Sequence, residues 1–365
     1  MKRRQFLKLG AAASSGVAAA TVAAPAVAQS MPEVRWRLAS SFPRVLDTLH
    51  GAADTLVKRV AEMTDNRFRI QLFPAGEIVP GLQVLDAVQA GTVECSFTTG
   101  YYNWGKDTAF AFTTGIPFGL NARMGEAWYQ HGGGLEMVQE LFAQYTTHVI
   151  KMGDTAGQMG GWFRKEINLV DDLKGLKFRI GGFAGRVVGK LGVIPQQIAA
   201  GDVYPALEKG TLDAVEWIAP ADDEKFGFVK VAKNYYFPGW WEGGASGHFI
   251  VNMAKWKELP KSYQAILTSA VHDAGSWFLS KYDYSNPGAL KRLIAQGAIL
   301  KPFPQAVMDA GYKATEEACA EEAAKNPRFK KMYDSVRAFR KDAYQWWQVN
   351  ELTFDSYQVR METRS

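Results

Sequence analysis

Apolar residues switch between a period of two and a helical period four times in the first hundred positions, and few architectures accept that rhythm. Residues 34–38 alternate as a strand, 46–63 repeat at helical spacing, 68–73 alternate again, 82–90 read as a helix stopped by Gly91, and 93–98 as a strand. A β-α-β-α-β run of this kind predicts a mostly parallel sheet covered by helices. The middle repeats the theme, with strands at 176–180, 194–198 and 214–217 separated by helices at 184–191 and 203–209. Residues 82–94 also resemble 203–216: helix, Gly-Thr, strand, acid. Two lobes of one design would give this repeat, and so would chance similarity between amphipathic helices. If there are two lobes, the ligand site is expected between them.

Two strands end on charges that their own pattern does not require. Asp171-Asp172-Leu173-Lys174-Gly175-Leu176-Lys177-Phe178-Arg179-Ile180 ends near a guanidinium, and Leu207-Glu208-Lys209-Gly210-Thr211-Leu212-Asp213-Ala214-Val215-Glu216-Trp217 near a carboxylate. Arg179 presents a planar donor fork suited to a carboxylate. In open α/β sheets the carboxyl ends of strands line the ligand crevice. The pair therefore points to a cleft for a small acid, against the plainer reading that each charge caps a strand in solvent.

The N-terminus carries Arg3-Arg4 ahead of Phe6-Leu7-Lys8, an alanine-rich run, and Ala26-Val27-Ala28. Paired arginines, a weakly apolar run and an Ala-x-Ala site predict a twin-arginine export signal over 1–28, with the mature chain starting at Gln29. The run is too short and alanine-rich for a membrane anchor. Of the 42 basic residues, Lys2, Arg3, Arg4 and Lys8 lie in that segment, leaving 38 against 37 acidic ones. A nearly neutral mature chain gives no support for a nucleic-acid surface. Cys95 and Cys319 are the two cysteines. Export permits a disulfide, but Cys95 fits a buried strand and two cysteines make no framework, so free thiols are expected.

The last third reads as helical, with helices at 263–282 and 304–324 and an extended stretch at 300–303 between them. From Asn326-Pro327 onward, Phe329, Tyr333, Val336, Phe339, Ala343, Trp346, Trp347, Leu352, Phe354 and Tyr357 keep mostly three- and four-residue steps. A helix of about 30 residues is about 45 Å long, more than one lobe can cover. Its aromatic stripe either meets a partner or straps both lobes of its own chain.

Catalytic motifs are missing. His50, His131, His148, His248 and His272 form no pair at metal-ligand spacing. Gly243-Gly244-Ala245-Ser246-Gly247 narrowly misses a nucleophile elbow. Gly181-Gly182-Phe183-Ala184-Gly185 fails the dinucleotide spacing, and its natural reading is a helix N-terminus with N–H groups free for an anion. No set of cysteines exists for an iron–sulfur cluster.

Residues 171–180, 207–217 and Tyr235-Tyr236-Phe237-Pro238-Gly239-Trp240-Trp241-Glu242 together resemble the DctP-type solute receptors of tripartite ATP-independent periplasmic (TRAP) transporters, over nearly the whole mature chain. Arg179 matches that family's substrate-carboxylate arginine. Most members have Glu-Asn where this chain has Glu216-Trp217, and the Glu-Trp form resembles the branch that binds 2-oxo or 2-hydroxy monocarboxylates with a metal ion. The resemblance implies an α/β two-lobed periplasmic-binding-protein fold with mixed sheets and a long C-terminal helix. It implies lobe I over 29–156 with 244–285, lobe II over 157–243 with 286–325, and a dimerising helix over 326–365. It implies Na+, alternatively Ca2+, held by Gln158, the Glu216 carboxylate and the Trp217 carbonyl, with Glu242 as a further candidate ligand. Gln158 stands where an arginine is frequent elsewhere in the family. Arg179, Gln158, Tyr101 and Trp217 are the expected substrate contacts, and Tyr102, Trp240 and Trp241 candidate walls, each with core packing as its plainer role. The implied partners are a pyruvate-like 2-oxo acid, the membrane permease subunits and a second copy of the chain. The alternative is a periplasmic enzyme acting on such acids.

The physical chemistry agrees with a cation. Glu216 beside a substrate carboxylate would repel it, and a hard cation bridging the two removes that repulsion.

Overall fold

The computed structural model describes residues 31–363, so the export signal expected at 1–28 lies outside the described residues. The strands are β1 (Val34–Ser40), β2 (Phe68–Phe73), β3 (Cys95–Thr99), β4 (Thr147–Asp154), β5 (Gly161–Phe163), β6 (Lys177–Arg179), β7 (Ile194–Gln196), β8 (Ala214–Val215), β9 (Asn234–Phe237), β10 (Ser246–Asn252) and β11 (Ile299–Pro302). They form two mixed sheets, in the orders β2-β1-β3-β10-β4 and β11-β9-β5-β8-β6-β7.

Each sheet has a parallel trio, as the alternation of strands and helices requires. In the first, β1 pairs in parallel with β2 and β3. In the second, β6 pairs in parallel with β7 and β8. Antiparallel strands extend each trio. β10 lies between β3 and β4 and runs against both, and β5 runs against β8 and β9. These added strands have no alternating pattern to announce them. β10 is buried along nearly its whole length, and β5 has only three residues. Periodicity cannot find a strand that is apolar on both faces or one that short.

A single helix, Lys261–Ala295, replaces the one expected at 263–282; it continues through Pro287 for 35 residues, about 50 Å. It packs on the helix Leu49–Met63, on β4 and on the helix Pro220–Phe226. Where it crosses β4, backbone meets backbone. A Cβ on Gly275 would lie 2.6 Å from the Gly153 nitrogen, and Gly153 has φ +73°. Neither position accepts a side chain without moving the helix off the sheet.

The continuous helix expected over 326–365 is two, Pro327–Val349 and Glu351–Glu362, broken at Asn350 with φ −111° and ψ −84°. The Asn350 side chain accepts the Glu351 N–H at the break. The first helix straps its own chain. It buries Phe329, Met332, Tyr333 and Val336, and Phe329 meets Phe112 at 4.7 Å and Phe183 at 5.6 Å between ring centroids. At its last turn and beyond it, Trp346, Val349, Leu352, Phe354, Tyr357 and Val359 are exposed. Cys95 and Cys319 are both buried and free.

Gly275→Ala is expected to lower stability by about 1–3 kcal/mol, the usual cost of overpacking. Urea unfolding of the ligand-free mature chain measures it. An unchanged midpoint would mean that the helix is not pinned at this crossing.

Candidate ligand and cation site

Parallel pairing of β6 with β8 sets Arg179 opposite Val215, so Arg179 and Glu216 emerge side by side at the carboxyl ends of their strands. The Glu216 N–H donates to the Arg179 carbonyl at 3.0 Å. Arg179 Nη1 donates back to the Glu216 carbonyl at 2.5 Å and to Glu216 Oε2 at 3.0 Å. Each residue is 1% exposed. The two charges thus pair with each other, and Arg179 also lines the cavity. The guanidinium also lies over the Trp217 ring, 4.4 Å from its centroid, a cation–π contact. Arg179 Nε and Glu216 Oε1 are buried without a hydrogen-bond partner.

Close backbone approach brings Gln158 to the same place. Gly161 has φ +105°, and a Cβ there would lie 2.5 Å from the Val215 carbonyl, so only glycine lets β5 sit against β8. Just before it, Met159 N–H donates to the Ile218 carbonyl at 3.0 Å, and Gly239 N–H to the Gln158 carbonyl at 2.9 Å. Gln158 is held between the end of β8 and the loop after β9. Its Nε2 donates to Thr155 Oγ1 at 2.9 Å, which leaves Oε1 buried and unpartnered.

Glu242 is buried in the same cluster. Burial and the neighbouring Asp154 push its carboxyl up to about 7, against the pull of Arg179 and a hydrogen bond from Gln158. Burial holds Glu216 well above the ordinary carboxylate range; Arg179 opposes the shift, and Glu242 and Asp223 add to it. Several carboxyls with one guanidinium among them leave an excess of negative charge when ionised.

The cavity here offers about 340 Å³ of open space, its mouth included. That is at the small end of ligand pockets. Arg179, Tyr101, Tyr102, Thr155, Trp217 and Ser246 give it polar lining, and Phe42, Leu49, Ile218 and Phe278 apolar lining. Burial pushes the Tyr102 hydroxyl up to about 12, so it stays neutral. The apolar residues were not foreseen in the sequence. Phe42 follows β1 and Phe278 sits inside a helix, where any large apolar residue reads as core.

Other expectations are corrected by packing. Gly181 and Gly182 do not leave an anion site open: a Cβ on either would lie within 2.2 Å of the Tyr101 ring, and the Gly182 N–H donates to Gln197 Oε1 at 2.9 Å. The glycines seat Tyr101. Trp240 stacks on Phe118 at 5.0 Å and lies tilted against Trp241 at 3.9 Å; both tryptophans belong to the core and neither lines the cavity. The repeat noted at 82–94 does not extend to its acid, because Glu94 precedes β3 and pairs with Arg37 at 2.8 Å on the surface.

Among the described residues no three or more His, Cys, Asp or Glu side chains form a metal-binding group. The site offers a different donor set. A carboxylate oxygen and an amide oxygen, both buried and unpartnered, stand with a second carboxyl at hand. Mixed oxygen donors suit a hard cation.

Residues 39–326 match the family described as bacterial extracellular solute-binding protein, family 7, DctP. A monocarboxylate 2-oxoacid-binding periplasmic protein of Nostoc sp. is 47% identical over 360 residues, 98% of this chain and 99% of its own length. A TRAP transporter solute-binding protein of Bordetella bronchiseptica is 50% identical and superposes with a TM-score of 0.90 over 91% of this chain and 99% of its own; it is a mixed-occupancy dimer with copurified calcium and picolinate. A third protein, from Pseudoalteromonas atlantica, holds sodium and pyruvate; it is 37% identical, with a TM-score of 0.86 over 89% of this chain and 99% of its own. The chain belongs to the DctP family, the extracytoplasmic solute-binding proteins of TRAP transporters. It is a binding protein, and the enzymatic alternative falls away.

Arg179→Met is expected to cost about 3–5 kcal/mol of ligand-free stability at pH 8, because it leaves Glu216 buried without a partner. The sign with pH follows from the raised Glu216 carboxyl. A buried acid that protonates more readily than in the unfolded chain costs most when ionised, so the deficit should shrink towards pH 5. Urea unfolding of variant and parent at the two pH values tests this; a deficit constant with pH would contradict it.

Proposed function

We propose that the chain captures a small 2-oxo monocarboxylate, pyruvate or a near relative, together with Na+ (alternatively Ca2+), and delivers the acid to the membrane permease of a TRAP transporter. The observation that carries this reading is a set of three buried and unpartnered polar atoms at one small cavity: Nε of Arg179, which lines it, Oε1 of Glu216, which pairs with Arg179, and Oε1 of Gln158, whose amide bonds the lining residue Thr155. Buried polar groups are normally satisfied, and a cation with an acid would satisfy all three. Relatives more than 35% identical that hold sodium with pyruvate, or calcium with picolinate, support the choice of guests.

Gln158, Glu216, the Trp217 carbonyl and Glu242 would hold the cation. When bound, it supplies the positive charge that lets these carboxyls stay ionised beside an anionic ligand. Arg179 takes the acid's carboxylate on its free Nε edge, Tyr101, Gln158 and Trp217 contact the rest, and the apolar lining excludes a second charge. The lobes are 29–156 with 244–285 and 157–243 with 286–325, and the strands of the two sheets divide along those boundaries. Export runs by the twin-arginine route through residues 1–28. The exposed stripe from Trp346 to Val359 joins two copies, in keeping with a relative that crystallised as a dimer.

Two experiments test this. Pyruvate titrations of chelator-treated protein in sodium-free buffer, repeated with Na+ and with Ca2+, should show ion and acid each tightening the other by one factor. Glu216→Gln should lose both. Because Glu242 rises to about 7 without the ion, ion uptake must displace a proton below that pH, and affinity should fall by up to about tenfold per unit from pH 7 to 5. Equal pyruvate affinity with and without ions would sink the metal assignment. For assembly, light scattering should give a dimer for the mature chain and a monomer for one ending at Asn350; a monomeric mature chain at micromolar concentration would reject the dimer.

A further inference from the structure

Asp222 and Asp223 are consecutive and 0% and 1% exposed; Asp223 acts on the site described above only through its charge, which helps to raise Glu216, and Asp222 has no part in it. They open the helix Pro220–Phe226, which follows β8 and Trp217 directly. Their side chains reach in different directions. Asp223 Oδ2 accepts from Trp162 Nε1 at 3.0 Å and from the Tyr235 hydroxyl at 2.5 Å, partners on β5 and β9 of the second sheet. Asp222 leaves that sheet. Its Oδ1 accepts from the Thr48 hydroxyl at 2.6 Å, and its Oδ2 from the Tyr282 hydroxyl at 2.5 Å.

Thr48 stands at the N-terminus of the helix Leu49–Met63, where a threonine hydroxyl ordinarily accepts a backbone N–H of its own helix. Here it makes no such cap and donates to Asp222 instead. A buried carboxylate supported by hydroxyls alone is costly, so an acid at this position needs a reason other than stability. Leu49, next to Thr48, and Phe278, one turn before Tyr282, line the ligand cavity together with Trp217 and Ile218. The two hydroxyls therefore come from the same elements that enclose the ligand from the first-sheet side.

We propose that Asp222 is a positioning residue for ligand retention: its bonds to Thr48 and Tyr282 clasp the helix after β8 to the helices of the first sheet when the cavity closes on its guest. The inference rests on the binding function proposed above. Asp223 anchors the helix to its own sheet, and Asp222 completes the closed state, so ligand leaves only when both hydroxyl bonds break. Asp47 and Lys225, an ion pair at the same seam, lie at the surface and add little.

The test uses Thr48→Val, which removes the hydroxyl at nearly constant volume, Thr48→Ser, which keeps it, and Tyr282→Phe. Pyruvate binding and release are followed at pH 8 with saturating Na+ or Ca2+, alongside urea unfolding of each ligand-free protein. Thr48→Val and Tyr282→Phe should release pyruvate about tenfold faster or more, Thr48→Ser should retain the parent rate, and the ligand-free midpoints should move little. Parent-like release from Thr48→Val would overturn the clasp. So would equal losses in the valine and serine variants, or a loss of affinity matched by a fall in ligand-free stability. If the parent itself binds no pyruvate with either ion, the proposed function fails and the clasp with it; parent binding with unaltered variants rejects the clasp alone.

Discussion

A guanidinium with too many carboxyls around it governs this structure. Arg179 and Glu216 are held together by the register of two parallel strands, buried, and supported by backbone as well as side-chain bonds. A buried ion pair of this kind contributes little net stability, since desolvation offsets most of the attraction. Its use lies in geometry. With Glu242 and Asp154 close by and burial raising all three acids, the site carries more buried carboxyl groups than the one guanidinium can balance.

Glycines decide how near the donors come. Gly161 lets β5 touch β8, and so sets Gln158 beside Glu216; Gly181 and Gly182 let the Tyr101 ring lie on the start of the helix Gly182–Lys190. These are close approaches in which a methyl group would collide with backbone or ring. The same device holds the long helix Lys261–Ala295 against β4. Placement of the side chains that matter therefore depends on residues that have none.

Much of this was legible beforehand, and the gaps have physical causes. The parallel trios were readable because a half-buried strand alternates and its covering helix repeats at 3.6 residues; 68–73 was read to its full length. The strand-end charges stood out because apolar strands do not need them. Antiparallel β4, β5, β9 and β10 carried no such signal, since their pairing is set by distant chain. Tyr101, Trp217, Trp240 and Trp241 were equally aromatic in sequence, and only packing separated the two that line the cavity from the two that lie in the core. Asp222 and Asp223 looked like an ordinary acidic first turn of a helix, which is stabilising in its own right; their burial could not be read from that pattern.

The position of β10 has a consequence for how the chain reaches its native state. β3 is buried on both faces, and its free edge, like the only edge by which β4 joins the sheet, waits for a strand that begins at Ser246. Everything from β5 to β9 is made first and belongs to the other sheet. A nascent chain therefore carries an open, apolar strand edge through the synthesis of most of its second sheet, the kind of edge that invites pairing with another chain. The first sheet can close only once the chain has come back from β9.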